Sequence, residues 1–374
     1  MINLMKILTT SKMRGPSNVL APVVRELQSR GHQTTIYATG NETEAAGFSG
    51  LDYQQISPQE GDYKNLVTGH DVVIVGMSGY TSPDGYFIRA ANSLGVPVIA
   101  VQDQNSNYQE RLGNCSKDFP TLLTLMDENC FNTIKEEYSS ELAEELIEKG
   151  RVIGWAGFDH YAQLKEEFTD EQKAELLNSI SLNPDNKAYL HFTQNLHPDC
   201  DYMARVPRSR EEKQEGFDYE MKVTQAVFEA ASDLGIKLAV KPHPGEKFET
   251  NYTKDLAEKH GFTFVPASAC NTQQIMLAAH SVTAGRSTCL TEACLLDKNT
   301  GGIIPDLGEE WVNPFPPMSL GAIPYTQDWE GINEVVSLVA SSDKEVNKTL
   351  ADYRKSFSVD GKASKRLADL VESL

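Results

Sequence analysis

The chain has 374 residues, more than one hydrophobic core usually organises, so two domains of roughly 150 to 200 residues each are expected and a small stapled module is excluded. With 40% apolar, 8% aromatic and 23% charged residues it is neither disordered nor fibrous. Its 34 basic against 53 acidic residues leave a net charge of -19; such a surface repels phosphate backbones and anionic lipid heads, so neither nucleic acid nor a membrane surface is an expected partner, and an anionic ligand needs a locally positive pocket.

The apolar start, Met1 to Thr10, is short and runs into a polar loop without a cleavage-like site, so it reads as a first strand rather than a signal peptide. Met5–Thr9 is that strand, and Asn18–Ser29 follows as a helix with Leu20, Val23, Val24 and Leu27 on one face, Ser17 as N-cap and Gly31 as its stop. The same alternation continues in strand Gln33–Tyr37, strand Asp71–Val75, helix Pro83–Leu94 (Ser82 as cap, Gly95 beyond) and strand Pro97–Val101. The longest apolar runs, such as Asp71 to Met77 and Gly95 to Val101, fall far short of the roughly 20 residues that span a bilayer. No integral membrane segment is expected, and the chain reads as cytoplasmic.

After an acidic helix, Ser140–Lys149, the boundary is placed near 151, in the stretch Arg151 to Asp159, with a charged helical pattern running from His160 toward Asn178. A second alternating series follows: strand Lys187–His191, helix Tyr219–Leu234, strand Lys237–Lys241, helix Thr253–His260, strand Phe262–Val265, helix Thr272–Ala279, strand Ser281–Thr283, helix Cys289–Leu296 and strand Gly302–Ile304. Helical patterns over Lys344–Phe357 and Ala363–Leu374 close the chain. Strands alternating with helices imply parallel sheets covered on both faces, and ligands of such sheets bind outside the carboxyl ends of the strands. The expected architecture is α/β, two doubly wound parallel-sheet domains facing a central cleft: 1–150, 151–343, and closing helices over 344–374.

The six cysteines include no Cys-x-x-Cys pair, and no Cys/His cluster has zinc spacing, so reduced thiols and no metal site are expected. The sharpest motif is Lys241-Pro242-His243-Pro244-Gly245-Glu246 after an apolar strand. Two prolines hold His243 in an extended path at a strand end, where Lys241 and the imidazole can meet a pyrophosphate; a surface turn with an incidental histidine is the alternative. Next is Ala284 to Ala293, where Arg286, Ser287 and Thr288 stand at a helix N-terminus suited to an anion, and Glu292 lies one turn later, placed to accept from a ribose diol. An ordinary N-cap with a surface glutamate is the alternative there.

The first loop, Thr9 to Ser17, offers Arg14, Gly15 and Ser17, but it carries neither a Gly-x-Gly-x-x-Gly fingerprint nor a Walker loop, so no dinucleotide redox cofactor is expected. Thr193, Gln194 and His197 follow the strand opening the second domain, with a capped turn as the alternative. Asp103 stands beyond the strand ending in Val101, the right place for a general base or for a turn-capping aspartate.

These stretches resemble the GT-B superfamily of nucleotide-sugar enzymes, in the branch of the UDP-N-acetylglucosamine 2-epimerases and capsule-type glycosyltransferases. Arg14 to Leu27 with Arg30-Gly31-His32 is similar to their first helix, Lys241 to Glu246 to the strand-end histidine-proline motif of the capsule transferases, and Ser287 to Ala293 to the nucleotide-binding loop and helix whose glutamate holds the ribose. The resemblance implies a nucleotide diphosphate sugar, such as a UDP-sugar, held mainly by the second domain, the acceptor or reacting sugar against the first, and closing helices that return to the first domain. The chain departs from the epimerases in having Thr193-Gln194-Asn195-Leu196-His197-Pro198 in place of their glutamate- and arginine-rich motif, which moves transfer ahead of epimerisation. The leading expectation is a metal-independent glycosyltransferase with a nucleotide-sugar donor and a hydroxyl acceptor, needing no cofactor, with Asp103 and His243 as catalytic residues. A 2-epimerase, hydrolysing or not, and a non-catalytic small-molecule binder are the alternatives; a homodimer is the macromolecular partnership open to it.

Overall fold

The structure is a computed structural model that describes residues 4–59, 61–104, 106–193, 210–242, 250–266, 268–308, 312, 315–341, 348, 350–351, 353 and 360–374. The chain divides into two compact units, Met1–Gln163 with Ser356–Leu374, and Leu164–Lys355, the cut falling within the helix Asp159–Glu167.

Unit 1 is built on β1 (Lys6–Ser11), β2 (Gln33–Ala38), β3 (Gln54–Gln55), β4 (Val72–Gly76), β5 (Val98–Val101), β6 (Leu122–Leu125) and β7 (Gly150–Val152). All pair in parallel, in the order β3-β2-β1-β4-β5-β6-β7. β4 and β5 are buried along their whole length, which is why they are continuous runs of apolar residues rather than alternating ones. The helix Arg14–Ser29 packs Val19, Leu20, Val23, Val24 and Leu27 into the core beside Ile7, Ile36, Val72 and Ile99. It approaches β4 closely enough that a Cβ on Gly76 would sit 2.6 Å from the Cβ of Pro16. The last helix, Ala363–Glu372, belongs to this unit and seats Ala363, Leu367, Ala368 and Val371 in the same core.

Unit 2 repeats the plan with β8 (Tyr189–Phe192), β9 (Leu238–Lys241), β10 (Thr263–Phe264), β11 (Ser281–Ala284), β12 (Asn299–Ile303) and β13 (Tyr325–Thr326). They are again all parallel, in the order β10-β9-β8-β11-β12-β13. In each sheet the strand order reverses once, between β1 and β4 and between β8 and β11. The crevice outside the carboxyl ends of those strands is where a doubly wound sheet takes its ligand.

Two boundaries differ from the sequence reading for physical reasons. The first helix begins at Arg14, not Asn18, because Pro16 falls in the first turn, where a missing N–H costs nothing. Ser17 is therefore inside the helix, not its N-cap: it is buried, and its hydroxyl donates to Arg14 O at 3.0 Å. The helix expected over Tyr219–Leu234 starts earlier, at Arg210, in a charged stretch with good helix propensity but no apolar stripe to reveal it. The pattern Lys344–Phe357 lies largely outside the described residues.

Candidate functional site

At the carboxyl ends of β1, β4 and β5, the residues that meet come from distant parts of unit 1. Arg14 is the exposed first residue of its helix, and Lys12 precedes it, half-buried. Gly15 is the point of closest approach: a Cβ there would lie 2.1 Å from Asp103 Oδ2, so only glycine lets the helix start beside that carboxylate. Asp103 Oδ1 accepts from Arg111 Nη1 at 2.5 Å, and the same nitrogen donates to Met77 O at 2.6 Å. Arg111 is buried, so it ties the ends of β4 and β5 together and fixes the direction in which Asp103 points. Ser17 faces elsewhere, its Oγ lying 2.0 Å from where a Cβ on Gly47 would be.

Two residues gathered at these strand ends escape the sequence reading. Arg111 stands in a short charged helix, Tyr108–Leu112, that looks like a solvated face. Asp84 looks like an ordinary first-turn acid of the helix Pro83–Leu94, yet it is fully buried, and burial pushes its carboxyl up to about 7 against the opposing pull of the Ser78 hydrogen bond.

In unit 2, Ser287 caps the helix Thr288–Leu295, its hydroxyl accepting from Cys289 N at 3.2 Å, so the free N–H groups of the first turn stand at the end of β11. Thr288 is exposed at that end; Arg286, half-buried, places its guanidinium 5.9 Å from the Phe315 ring. Glu292 is partly exposed one turn on and accepts from Gln273 Nε2 at 3.3 Å. Gln273 is itself placed by Asn271, which caps the helix Thr272–Ala278. Cys289 occupies the position where a helix N-terminus could activate a thiol, but burial, then the Glu292 charge, push it up to about 12, so it stays a thiol.

Lys241 is the last residue of β9, buried, and its ammonium donates to Pro266 O at 3.1 Å; burial lowers its pKa. Thr193 is buried beside it, its N–H donating to Lys241 O at 3.3 Å. The structure thus brings Arg286, Ser287, Thr288 and Glu292 together on one loop and helix. Gln194, His197, His243 and Glu246 lie outside the described residues. Among the described residues no group of three or more His, Cys, Asp or Glu is disposed to hold a metal ion, and no helix is long and apolar enough to cross a membrane.

No family model matches the chain, and no curated protein matches it in sequence. Solved structures do match it over its whole length. The UDP-GlcNAc 2-epimerase from Neisseria meningitidis, in a structure bound to UDP-GlcNAc, is 16% identical with a TM-score of 0.67, covering 99% of this chain and 100% of its own. The UDP-GlcNAc 2-epimerase from Methanocaldococcus jannaschii is 14% identical with a TM-score of 0.65, again over 99% and 100%. MurG from Acinetobacter baumannii is 13% identical with a TM-score of 0.62, over 99% and 100%. This chain has the GT-B fold. A GT-B chain is two doubly wound units, and the strand ends at β8 and β11 in this one carry the helix N-terminus and carboxylate described above.

Proposed function

We propose that this GT-B chain is an enzyme acting on a nucleoside diphosphate sugar, and that it transfers the glycosyl group to a hydroxyl acceptor. One observation carries the donor assignment. The Ser287-capped helix N-terminus stands at the β8/β11 switch point with Glu292 held one turn behind it by Gln273, so that anion donors and a diol acceptor lie in series. In that arrangement Arg286, Thr288 and the first-turn N–H groups take the diphosphate, where negative charge grows as the glycosidic bond breaks, and Glu292 takes the ribose hydroxyls. In unit 1, Asp103, whose direction Arg111 fixes, is a hydrogen-bond acceptor that orients the acceptor substrate through a hydroxyl other than the reacting one.

A second reading, epimerisation at the second carbon of the sugar, is favoured by the whole-length likeness to two epimerase structures. It asks for acid–base groups on both faces of the sugar ring. Calorimetry with a panel of nucleoside diphosphates and their sugars tests the common part: binding that weakens in Glu292→Ala is expected, and no binding to any of them, or binding unchanged in that variant, sinks the proposal. Deuterium entering the sugar at its second carbon without an acceptor selects epimerisation; nucleoside diphosphate release that depends on an acceptor selects transfer.

A further inference from the structure

Asp84, in the first turn of the helix Pro83–Leu94, belongs to a row of hydrogen bonds. Its Oδ2 meets Ser78 Oγ and, at 3.4 Å, the backbone N–H of Lys12, while its Oδ1 is buried without a partner among the described residues. Ser78 Oγ also lies 2.9 Å from Ser82 Oγ, and Ser82 donates to Gly79 O at 2.6 Å. Counting protons along this row separates two states. Ser82 commits its proton to Gly79 and can only accept from Ser78, so Ser78 has one proton for two acceptors. With Asp84 protonated, every contact is made: Asp84 donates to Ser78, Ser78 to Ser82, and Ser82 to Gly79. With Asp84 ionised, Ser78 turns its proton to the carboxylate and Ser82 loses its donor.

The row therefore stores one proton, and Ser78, partly exposed at the carboxyl end of β4, is its middle member, in contact with both Asp84 and Ser82. The charged and titratable groups around Asp84 are Lys12 from the loop after β1, Arg111 from the helix Tyr108–Leu112 and Tyr63 from the helix Tyr63–Val67. The two cations favour the carboxylate and burial opposes it; burial is the larger effect and leaves the carboxyl titrating at about 7. Arg111 is shared with Asp103, which places the row and the Gly15 approach at one strand-end site.

We propose that Ser78 and Asp84 receive the proton of the acceptor hydroxyl, Ser78 touching that hydroxyl and Asp84 serving as the positioning residue behind it. The step rests on the transfer reading above. As the acceptor oxygen forms its bond to the anomeric carbon and the bond from that carbon to the diphosphate oxygen breaks, the diphosphate leaves with the electron pair. The acceptor proton moves to Ser78 Oγ, and the proton of Ser78 moves to Asp84 Oδ2. Loss of that proton to water restores the ionised row.

The test is UDP release from UDP-N-acetylglucosamine, with methyl glycosides as acceptors, between pH 5.5 and 8.5. In the wild type kcat/KM rises about tenfold per pH unit below a break near 7 and is level above it. Asp84→Asn and Ser78→Ala each lower kcat by about 100-fold or more, with KM within about threefold, and Asp84→Asn has no such break. Ser78→Ala leaves Asp84 and its helix in place, so it answers even where Asp84→Asn folds poorly. Wild-type turnover with an unchanged pH profile and rate in a folded Asp84→Asn or Ser78→Ala overturns this inference alone. No acceptor-dependent release from any nucleotide sugar overturns the transfer reading and this step with it.

Discussion

His32 Nε2 and Glu372 Oε1 lie 2.9 Å apart, a contact closed across 340 positions of the chain. Met5 N–H donates to His32 Nδ1 at 3.2 Å, so the other ring nitrogen carries the proton and donates it to the carboxylate. Arg30 adds Asp369 at 2.6 Å and Glu372 at 2.9 Å, and the last helix is thereby pinned beside the first. The polar clamp fixes position more than it adds stability, because Asp369 and Glu372 keep contact with solvent. Burial of Leu367 and Val371 is the larger effect.

That contrast is measurable. Leu367→Ala is expected to destabilise unit 1 by about 2–5 kcal/mol and Glu372→Gln by less than about 1 kcal/mol, read by urea unfolding or by hydrogen exchange confined to peptides of unit 1. The hydrogen bond from His32 holds the Glu372 carboxyl below its usual range, so its small contribution is present above pH 4.5 and is lost as pH falls through the lowered value. Equal losses in the two variants would contradict this account.

Asp103 and Gly15 make a second test. Gly15→Ala places a methyl group 2.1 Å from Asp103 Oδ2 and must displace a carboxylate that Arg111 holds. A loss of about 1–3 kcal/mol is expected, together with loss of turnover. Gly61→Ala, whose Cβ would meet nothing within 4 Å, is the control and should be close to neutral in both measurements. Gly15→Ala behaving like Gly61→Ala would show that the approach of helix to carboxylate is not what the site depends on.

How much of this was legible from residues alone depended on range. The buried strands β4 and β5 and the helix Pro83–Leu94 announce themselves, because a parallel strand covered on both faces is a continuous apolar run and Pro83 and Gly95 punctuate the helix. β6 and β7 do not: Leu122–Leu125 is four residues with three leucines, and Gly150–Val152 follows a helix with no turn residue other than its own glycine. The helix cap at Ser287 is local, so its sequence carries it. Arg111 and Asp84 are not, since what matters about them is Met77, Asp103, Ser78 and Lys12, brought together only by the order of the strands.

One buried group in each unit should respond to pH in the opposite sense from the other. His191 is fully buried on β8, its Nδ1 3.0 Å from Thr283 Oγ1 and its Nε2 without a partner among the described residues, and burial pulls it down to about 4. The unfolded chain binds more protons than unit 2 between pH 4 and 6.5, so unit 2 loses stability as pH falls through that window. Asp84 is the converse: folded unit 1 holds there a proton that the unfolded chain has released between pH 3.8 and about 7, so the contribution of Asp84 to unit 1 is lost as pH rises through it. Each slope is at most about 1.4 kcal/mol per pH unit. Hydrogen exchange resolved by unit should show both, with His191→Phe removing the first and Asp84→Asn the second. Slopes left unchanged by His191→Phe or by Asp84→Asn would refute the corresponding assignment.

Glu292 offers the sharpest test of the donor site, because its proposed partner can be deleted from either side. A charged hydrogen bond contributes about 1.5–3 kcal/mol, so Glu292→Ala should weaken UDP binding by about 10- to 150-fold. Removing the ribose 2′-hydroxyl, by offering 2′-deoxy-UDP to the wild type, deletes part of the same interaction and should cost a comparable fraction of it. In Glu292→Ala that second loss should vanish, UDP and 2′-deoxy-UDP binding equally. Gln273→Ala removes only the group that holds Glu292 Oε2, so its effect should be smaller, and absent in the Glu292→Ala background. Full discrimination against the deoxynucleotide surviving in Glu292→Ala would place the ribose elsewhere and leave that carboxylate as a helix-surface partner of Gln273.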